Sequence, residues 1–193
     1  MGNFYTNITL QNTTTEKVRA ILVDLGRRAV ISPTSDRYTV VSDEECELQD
    51  RSILKNLAAE LTKRANCQAL AVLNHDDSYL TYDLYDNGDL VDSYCSLPNY
   101  FTDQGPDTPV GGDAAKLLKV FGVAGDAKEM ERVLRASTIE EDSESVFELD
   151  RHRTIASLLQ MPSFVAGFGH DYVSTGYVPD GIEKRHLVTT GGE

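Results

Sequence analysis

The chain has 193 residues, of which 40% are hydrophobic and 25% charged, and its formal net charge is −13. This composition is typical of a folded globular protein that buries a core without disulfides, and it excludes an intrinsically disordered chain. The negative charge disfavours nucleic acid and anionic membranes as partners, because affinity for both depends on Lys and Arg. Three roles remain for this charge: binding a basic protein, binding a cation, or only keeping the chain soluble.

The sequence also bears on the compartment. It has no run of eighteen apolar residues, and its first residues, MGNFYTNITLQ, lack the pattern of a secretory signal. The three cysteines, Cys46, Cys67 and Cys95, form no Cys-x-x-Cys pair, which favours free thiols in a reducing compartment over a zinc site. We therefore expect a cytoplasmic protein without a cofactor, and the oligomeric state stays open.

Apolar periodicity predicts a strand, a helix, two strands, a second helix and a further strand, followed by two more strands. Phe4–Leu10 alternates as a half-buried strand does. Thr13 and Glu16 have the spacing of a capping box before the first helix, which Gly26 ends, and Asp50 precedes the second helix as its N-cap. The pattern predicts an α+β fold, with a mostly antiparallel sheet, amphipathic helices on one face and a ferredoxin-like first part.

The second half of the chain is predicted to be mainly helical. We divide the chain into a sheet domain over residues 1–98, a loop over 99–112, a helical region packed on the sheet over 113–185 and a tail over 186–193. Three helices are predicted within DAAKLLKVFG, GDAKEMERVLRAS and FELDRHRTIASLLQM, with an acidic loop, EEDSES, before the third. GFGHDY is interpreted as a strand with a bulge, and the tail has no packing signal.

The segment NHDDSYLTYDLYDNGDLVDSY contains one histidine and six aspartates. Its Asn87-Gly88 pair predicts a two-residue type I′ hairpin turn, because both positions of that turn require positive φ. Counting outward from the turn places Asp83 opposite Asp92. Opposed carboxylates are destabilising unless water, a cation or a basic side chain lies between them.

Two interpretations of this hairpin stay open. The favoured one is a solvated face, since exposed charge is common on one side of an antiparallel sheet. The alternative is a divalent cation bound by Asp83 and Asp92, with His75 or His170 as a further ligand or as a base. That arrangement would serve a metal-assisted hydrolase or a small-ligand enzyme.

The densest acidic run, Asp43, Glu44, Glu45 and Glu47, precedes the second helix. It either interacts with the helix N-terminus or forms a docking face for a basic partner protein. No Gly-x-Ser-x-Gly and no reactive cysteine setting is present, so the sequence indicates no catalytic nucleophile. The leading interpretation is a non-enzymatic binding or regulatory protein, immunity-like or adaptor-like. Self-association through the tyrosines is a third possibility.

Four segments carry a resemblance to known sequences: MGNFY, ISPT with YTVVSDEECE, ALAVLNHDDSYLTYDLYDNGDLVDSY, and PVGGDAAKL. Together they resemble a poorly characterised group of bacterial proteins with no assigned activity, over about the first two-thirds of the chain. The resemblance implies a soluble bacterial protein and identifies no functional residue.

Overall fold

The computed structural model describes residues 2–102, 104–137 and 147–191, and the predicted acidic loop EEDSES lies outside them. Within these residues the chain forms one eight-stranded antiparallel sheet, in the order β7-β6-β5-β4-β1-β3-β2-β8. The strands are β1 (Tyr5–Gln11), β2 (Ala29–Ile31), β3 (Tyr38–Asp43), β4 (Gln68–His75), β5 (Tyr79–Asp86), β6 (Asp89–Cys95), β7 (Val110–Gly111) and β8 (Val188–Thr190). The helices are α1 (Thr15–Asp24), α2 (Arg51–Ala65), α3 (Ala114–Val120), α4 (Ala127–Arg135), α5 (Glu148–Leu158) and α6 (His170–Ser174).

The α+β prediction is confirmed, and the first part of the chain has the predicted ferredoxin-like topology. The elements β1-α1-β2-β3-α2-β4 place their strands in the order β4-β1-β3-β2, and α1 and α2 pack on one face of the sheet. The core on this face comes from Val18 and Leu22 of α1, Leu54, Leu57 and Leu61 of α2, and Ile8, Leu10, Val41 and Leu73 of the sheet.

The C-terminal helices cover the opposite face, so helices lie on both sides of the sheet. All seven residues of β1 are buried, including Asn7 and Gln11. The Asn7 side-chain amide donates to two backbone carbonyl groups, and that of Gln11 donates to the carbonyl of Phe121. Burying these amides is tolerated because their N–H groups find partners. The expectation of a half-buried first strand is therefore wrong.

Local capping signals were predicted more accurately. The Asp50 side chain accepts a hydrogen bond from the backbone N–H of Ser52, as expected for the N-cap of α2. Gly26 has a φ of +68° just after α1, the left-handed conformation that commonly ends a helix. The α1 N-cap is Thr14, one residue later than the predicted capping box.

Two predicted irregular segments contain strands, and one predicted strand is a helix. β7 lies in the predicted loop. β8 lies in the predicted tail and pairs with β2, where the Thr190 hydroxyl accepts from the Ala29 N–H. The prediction of an unpacked tail is therefore wrong for Val188–Thr190. This strand could not be recognised from the sequence, because three residues are too few to show an alternating pattern. In GFGHDY the strand-and-bulge interpretation is also wrong, since α6 begins at His170.

Candidate functional site

The Asn87-Gly88 turn forms as predicted. Asn87 has a φ of +52° and Gly88 a φ of +95°, so both positions have the positive φ that a type I′ turn requires. The two residue pairs nearest the turn also have the predicted register, Asp86 with Asp89 and Tyr85 with Leu90.

A β-bulge then shifts the register between Leu84 and Tyr85. Beyond it Leu84 pairs with Asp92, and Asp83 pairs with Ser93. Because side chains alternate between faces along a strand, this shift puts Asp83 and Asp92 on opposite faces of the sheet. The predicted opposition of the two carboxylates is wrong.

Asp83 lies on the α2 side and is bound by basic groups. Its carboxylate accepts two hydrogen bonds from the Arg51 guanidinium, at 2.9 and 2.8 Å, and one from the Ser93 hydroxyl at 2.5 Å. The Lys55 ammonium nitrogen is 3.5 Å from the same carboxylate. The Asp83 side chain is 1% exposed, so this is a buried carboxylate neutralised from α2.

Asp92 lies on the other face, where it connects Tyr82 of β5 to the N-cap residue of α3. Its carboxylate accepts from the Tyr82 hydroxyl at 2.8 Å and from the backbone N–H of Asp113 at 2.9 Å. The Lys116 ammonium donates to the Val91 carbonyl at 3.1 Å. Side chains that occupy backbone groups in this way protect a sheet edge from pairing with another chain. Burial, and then the nearby Asp92, raise the pKa of Tyr82.

The two candidate histidines lie in different surroundings. His75 Nδ1 is 3.3 Å from the Gln49 amide oxygen, and its ring contacts several aromatic rings. His170 begins α6, and its backbone N–H donates to the Glu47 carboxylate at 2.7 Å. The four predicted metal ligands are not brought together. Across residues 2–102, 104–137 and 147–191, no three or more His, Cys, Asp or Glu side chains are placed to hold a metal.

The acidic run divides between buried and exposed carboxylates. Asp43 is buried, accepts two hydrogen bonds from Arg27, and accepts the backbone N–H groups of Glu45 and Cys46, which start a short 3₁₀ helix. Glu44 and Glu45 are exposed, and each is within ion-pair distance of an arginine. Only these two carboxylates of the run are well placed for a partner.

Glu47 has a half-buried side chain. Its carboxylate accepts from the Ser42 hydroxyl at 3.0 Å and from the His170 N–H. Burial outweighs these hydrogen bonds and raises the pKa of Glu47 to about 7. Glu47 therefore joins the first half of the chain to α6 and titrates near neutral pH.

Sequence analysis missed a group of five contacting rings at the surface, of which two are exposed and three half-buried. Its five rings belong to Phe4, His75, Tyr79, Tyr100 and Phe101, which we call the aromatic surface. Neighbouring rings have centroids 4.8–5.7 Å apart, with Tyr79 and Tyr100 stacked at 5.4 Å. Phe4 is 40% exposed and Phe101 62%. The rings come from three separate segments, which only the pairing of β1 with β4 and the return of the 97–102 segment bring together.

A polar cluster is buried under α5. The Tyr5 hydroxyl is 2.7 Å from His152 Nδ1, and burial lowers the pKa of His152 to about 3. Glu148 and Arg151 form an ion pair in which both side chains are 0% exposed. Arg151 also donates to the carbonyl groups of Val133 and Ala136, at the C-terminal end of α4. These contacts hold α4 and α5 together and leave no solvent-accessible reactive group.

Comparison with known proteins identifies no relative, so the fold is defined by its topology alone. The topology defines an α+β protein with a ferredoxin-like first part and a helical layer on the opposite face. No protein-family model, curated protein or solved structure matches the chain. None of the helices in the described part of the chain is long and apolar enough to cross a membrane.

Proposed function

We propose that this chain is a non-enzymatic, adaptor-like or immunity-like protein that binds a basic protein partner through its aromatic surface. The observation that carries the proposal is the group of five contacting rings, with Phe4 40% and Phe101 62% exposed. Aromatic residues are enriched at the centres of protein interfaces, and contiguous exposed apolar patches mark interaction sites.

The basic character of the partner follows from charge. The chain has a net charge of −13, and Asp76 and Asp77 lie in the turn between His75 and Tyr79 of the aromatic surface. Neither aspartate has an ion-pair partner among the described residues. A partner with positive charge around an apolar centre would gain both association rate and specificity from this arrangement.

The arrangement of the carboxylates supports binding over catalysis. Asp83 is neutralised by Arg51, and Asp92 is occupied by Tyr82 and the Asp113 N–H. The two lie on opposite faces of the sheet, so they do not form the acid–base pair of the hydrolase alternative. We also propose a cytoplasmic location, which the three free thiols support.

The test is a selection of random peptides displayed on phage, using the whole chain as bait. The decisive variant is Phe4→Ala with Phe101→Ala. The matched control is Val23→Ala with Leu90→Ala, which removes two similarly exposed apolar side chains, 54% and 47% exposed, from elsewhere. We expect the enriched peptides to combine Arg or Lys with apolar residues, and to lose binding to the first variant alone.

Three outcomes would overturn the proposal. One is the absence of enriched peptides, and another is equal binding to both double variants. The third comes from sedimentation of the unliganded chain. If the wild type dimerises and the Phe4→Ala, Phe101→Ala variant does not, a second copy of the chain covers the aromatic surface.

A further inference from the structure

A groove lies across the β4–β5 turn from the aromatic surface. It consists of two adjoining cavities of about 230 and 640 Å³, whose shared wall is formed by Asn3, Leu149 and Arg153. Each cavity has an exposed ring in its lining, Tyr177 in the smaller and Phe147 in the larger. The groove therefore combines exposed aromatic rings with a volume typical of ligand sites.

The charge in this groove is unbalanced. Among the described residues, Asp76, Asp77 and Asp150 line the larger cavity together with one basic side chain, Arg153. Arg153 donates to the Asp150 carboxylate at 2.8 Å, so that pair is neutral. Asp76 and Asp77 make no ion pair with any described residue, although Asp77 accepts hydrogen bonds from the Asn3 N–H, the Asn3 amide and the Asn74 amide. Asp76 and Asp77 thus give the groove two negative charges that no described basic side chain compensates.

The groove and the aromatic surface are parts of one continuous surface. Asp76 and Asp77 lie between His75 and Tyr79, both of which belong to the aromatic surface. Phe4 also joins the two regions. Its ring packs on His75, while its backbone N–H donates to the hydroxyl of Tyr172, a residue of the groove wall. A single partner segment that crosses the turn would contact both.

We propose that the groove receives an arginine or lysine side chain of the partner that binds the aromatic surface. This inference rests on the proposed function and adds the feature that selects a basic partner. The long apolar stem of such a side chain packs on the exposed rings, and its charged head reaches the unpaired carboxylates. An anionic group is disfavoured, because the basic residue of the groove is already paired with Asp150.

The probes are two fluorescein-labelled peptides of equal length, one alternating leucine with arginine and the other leucine with citrulline. Citrulline keeps the shape of arginine without its charge. We expect fluorescence anisotropy of the whole chain to show tighter binding of the arginine peptide. The ratio of the two dissociation constants, the arginine preference, measures the contribution of charge recognition.

The test variant is Asp76→Asn, and the matched control is Asp36→Asn. Both aspartates are exposed, both have positive φ, 53° and 55°, and both substitutions change the net charge equally. Asp36 lies in the β2–β3 connection, at the opposite end of the sheet. The Asp76→Asn side chain would retain the Oδ1 that accepts the Gly2 N–H. We expect Asp76→Asn to reduce the arginine preference about fivefold and Asp36→Asn to leave it unchanged.

The outcomes separate this inference from the proposed function. An equal reduction by both Asp variants would mean that net charge alone sets the preference, and the groove would be excluded. No arginine preference in the wild type would exclude it as well. If Phe4→Ala with Phe101→Ala abolishes binding of both peptides while Asp76→Asn keeps the preference, the proposed function stands and the groove does not. If the Phe variant weakens neither peptide, the proposed function is wrong.

Discussion

The two faces of the sheet bury carboxylates in different ways. On the face covered by α1 and α2, Asp83 is 1% exposed but its partner Arg51 is 33% exposed, so water still solvates part of the cation. On the opposite face, Glu148 and Arg151 are both fully buried. In the partly exposed Asp83–Arg51 pair, which we call the rim pair, water and neighbours such as Lys55 can replace part of the interaction when one partner is removed. A fully buried pair loses its solvation on both sides and is stable only while it is complete.

The buried pair also has a wider structural role than the rim pair. Arg151 donates to the α4 carbonyl groups and lies 6.0 Å from the Tyr94 ring centroid, so it connects α4, α5 and β6. α4 and α5 have only 9 and 11 residues and are marginal as isolated helices. Arg151 therefore adds polar contacts between these helices to the apolar core that packs them on the sheet.

The largest effect is expected at the buried pair. Arg151→Met should lower the free energy of unfolding by about 4 kcal/mol, because it leaves Glu148 buried without its cation. The double variant Arg151→Met, Glu148→Met should recover most of that loss, since two apolar side chains of similar size need no solvation. Urea denaturation measures both. A double variant as unstable as the single one would show that the bonds from Arg151 to α4 dominate instead.

An intermediate effect is expected at the rim. Arg51→Met should cost about 2 kcal/mol, because Asp83 loses two charge-assisted hydrogen bonds but keeps the hydrogen bond from Ser93 and the ion pair with Lys55. Arg64→Met removes a more exposed pair with Asp24 and serves as the control, with an expected cost below about 1 kcal/mol. If Arg51→Met and Arg151→Met lower the free energy of unfolding equally in urea, the partial exposure of Arg51 does not make the two faces differ.

The smallest effect is a pH dependence at Glu47, which joins the two halves. A carboxyl whose pKa is raised by folding, here to about 7, stabilises the fold fully below its unfolded pKa. This contribution is lost as pH rises through the folded pKa. Relative to Glu47→Gln, the free energy of unfolding of the wild type should fall by on the order of 1 kcal/mol between about pH 4.5 and 7.

Comparing the wild type with Glu47→Gln also removes an opposing effect, which is the titration of His152. Burial lowers the pKa of His152 to about 3. The stability that His152 contributes is therefore fully present above the unfolded histidine pKa, and it is lost as the pH falls from there through the folded pKa. This change is common to the wild type and Glu47→Gln, and it cancels when one unfolding profile is subtracted from the other. Parallel profiles for the two proteins would show that folding does not raise the pKa of Glu47.

The first half of the fold could be predicted because its signals are local. The α2 cap at Asp50 and the Asn87-Gly88 turn each depend on residues adjacent in the chain. The sequence predicted that the C-terminal region packs on the sheet but not that it buries β1, since the partners of Asn7 lie more than 150 residues away. Buried amides such as Asn7 look like solvent-facing positions until those partners are known.

The candidate site was harder to predict than the fold for the same reason. Nothing in the local sequence indicates the bulge beside Leu84, yet it decides which face Asp92 occupies. The aromatic surface requires Phe4, His75 and Phe101 to meet from three segments. What the sequence did provide was the excess of acid, which both proposals use.

The bulge in the hairpin has an evolutionary consequence. Val91 is the additional residue, lying between Leu90, which pairs with Tyr85, and Asp92, which pairs with Leu84. Removing Val91 would leave those two pairs adjacent and in phase, so the hairpin can lose one residue there without moving Asp92 to the other face. Descendants of this sequence can therefore differ in length at this point while keeping the register of the hairpin, although they would lose the Val91 side chain and the carbonyl that accepts from Lys116. A one-residue gap in a future alignment should be placed at Val91 and not interpreted as a slipped strand.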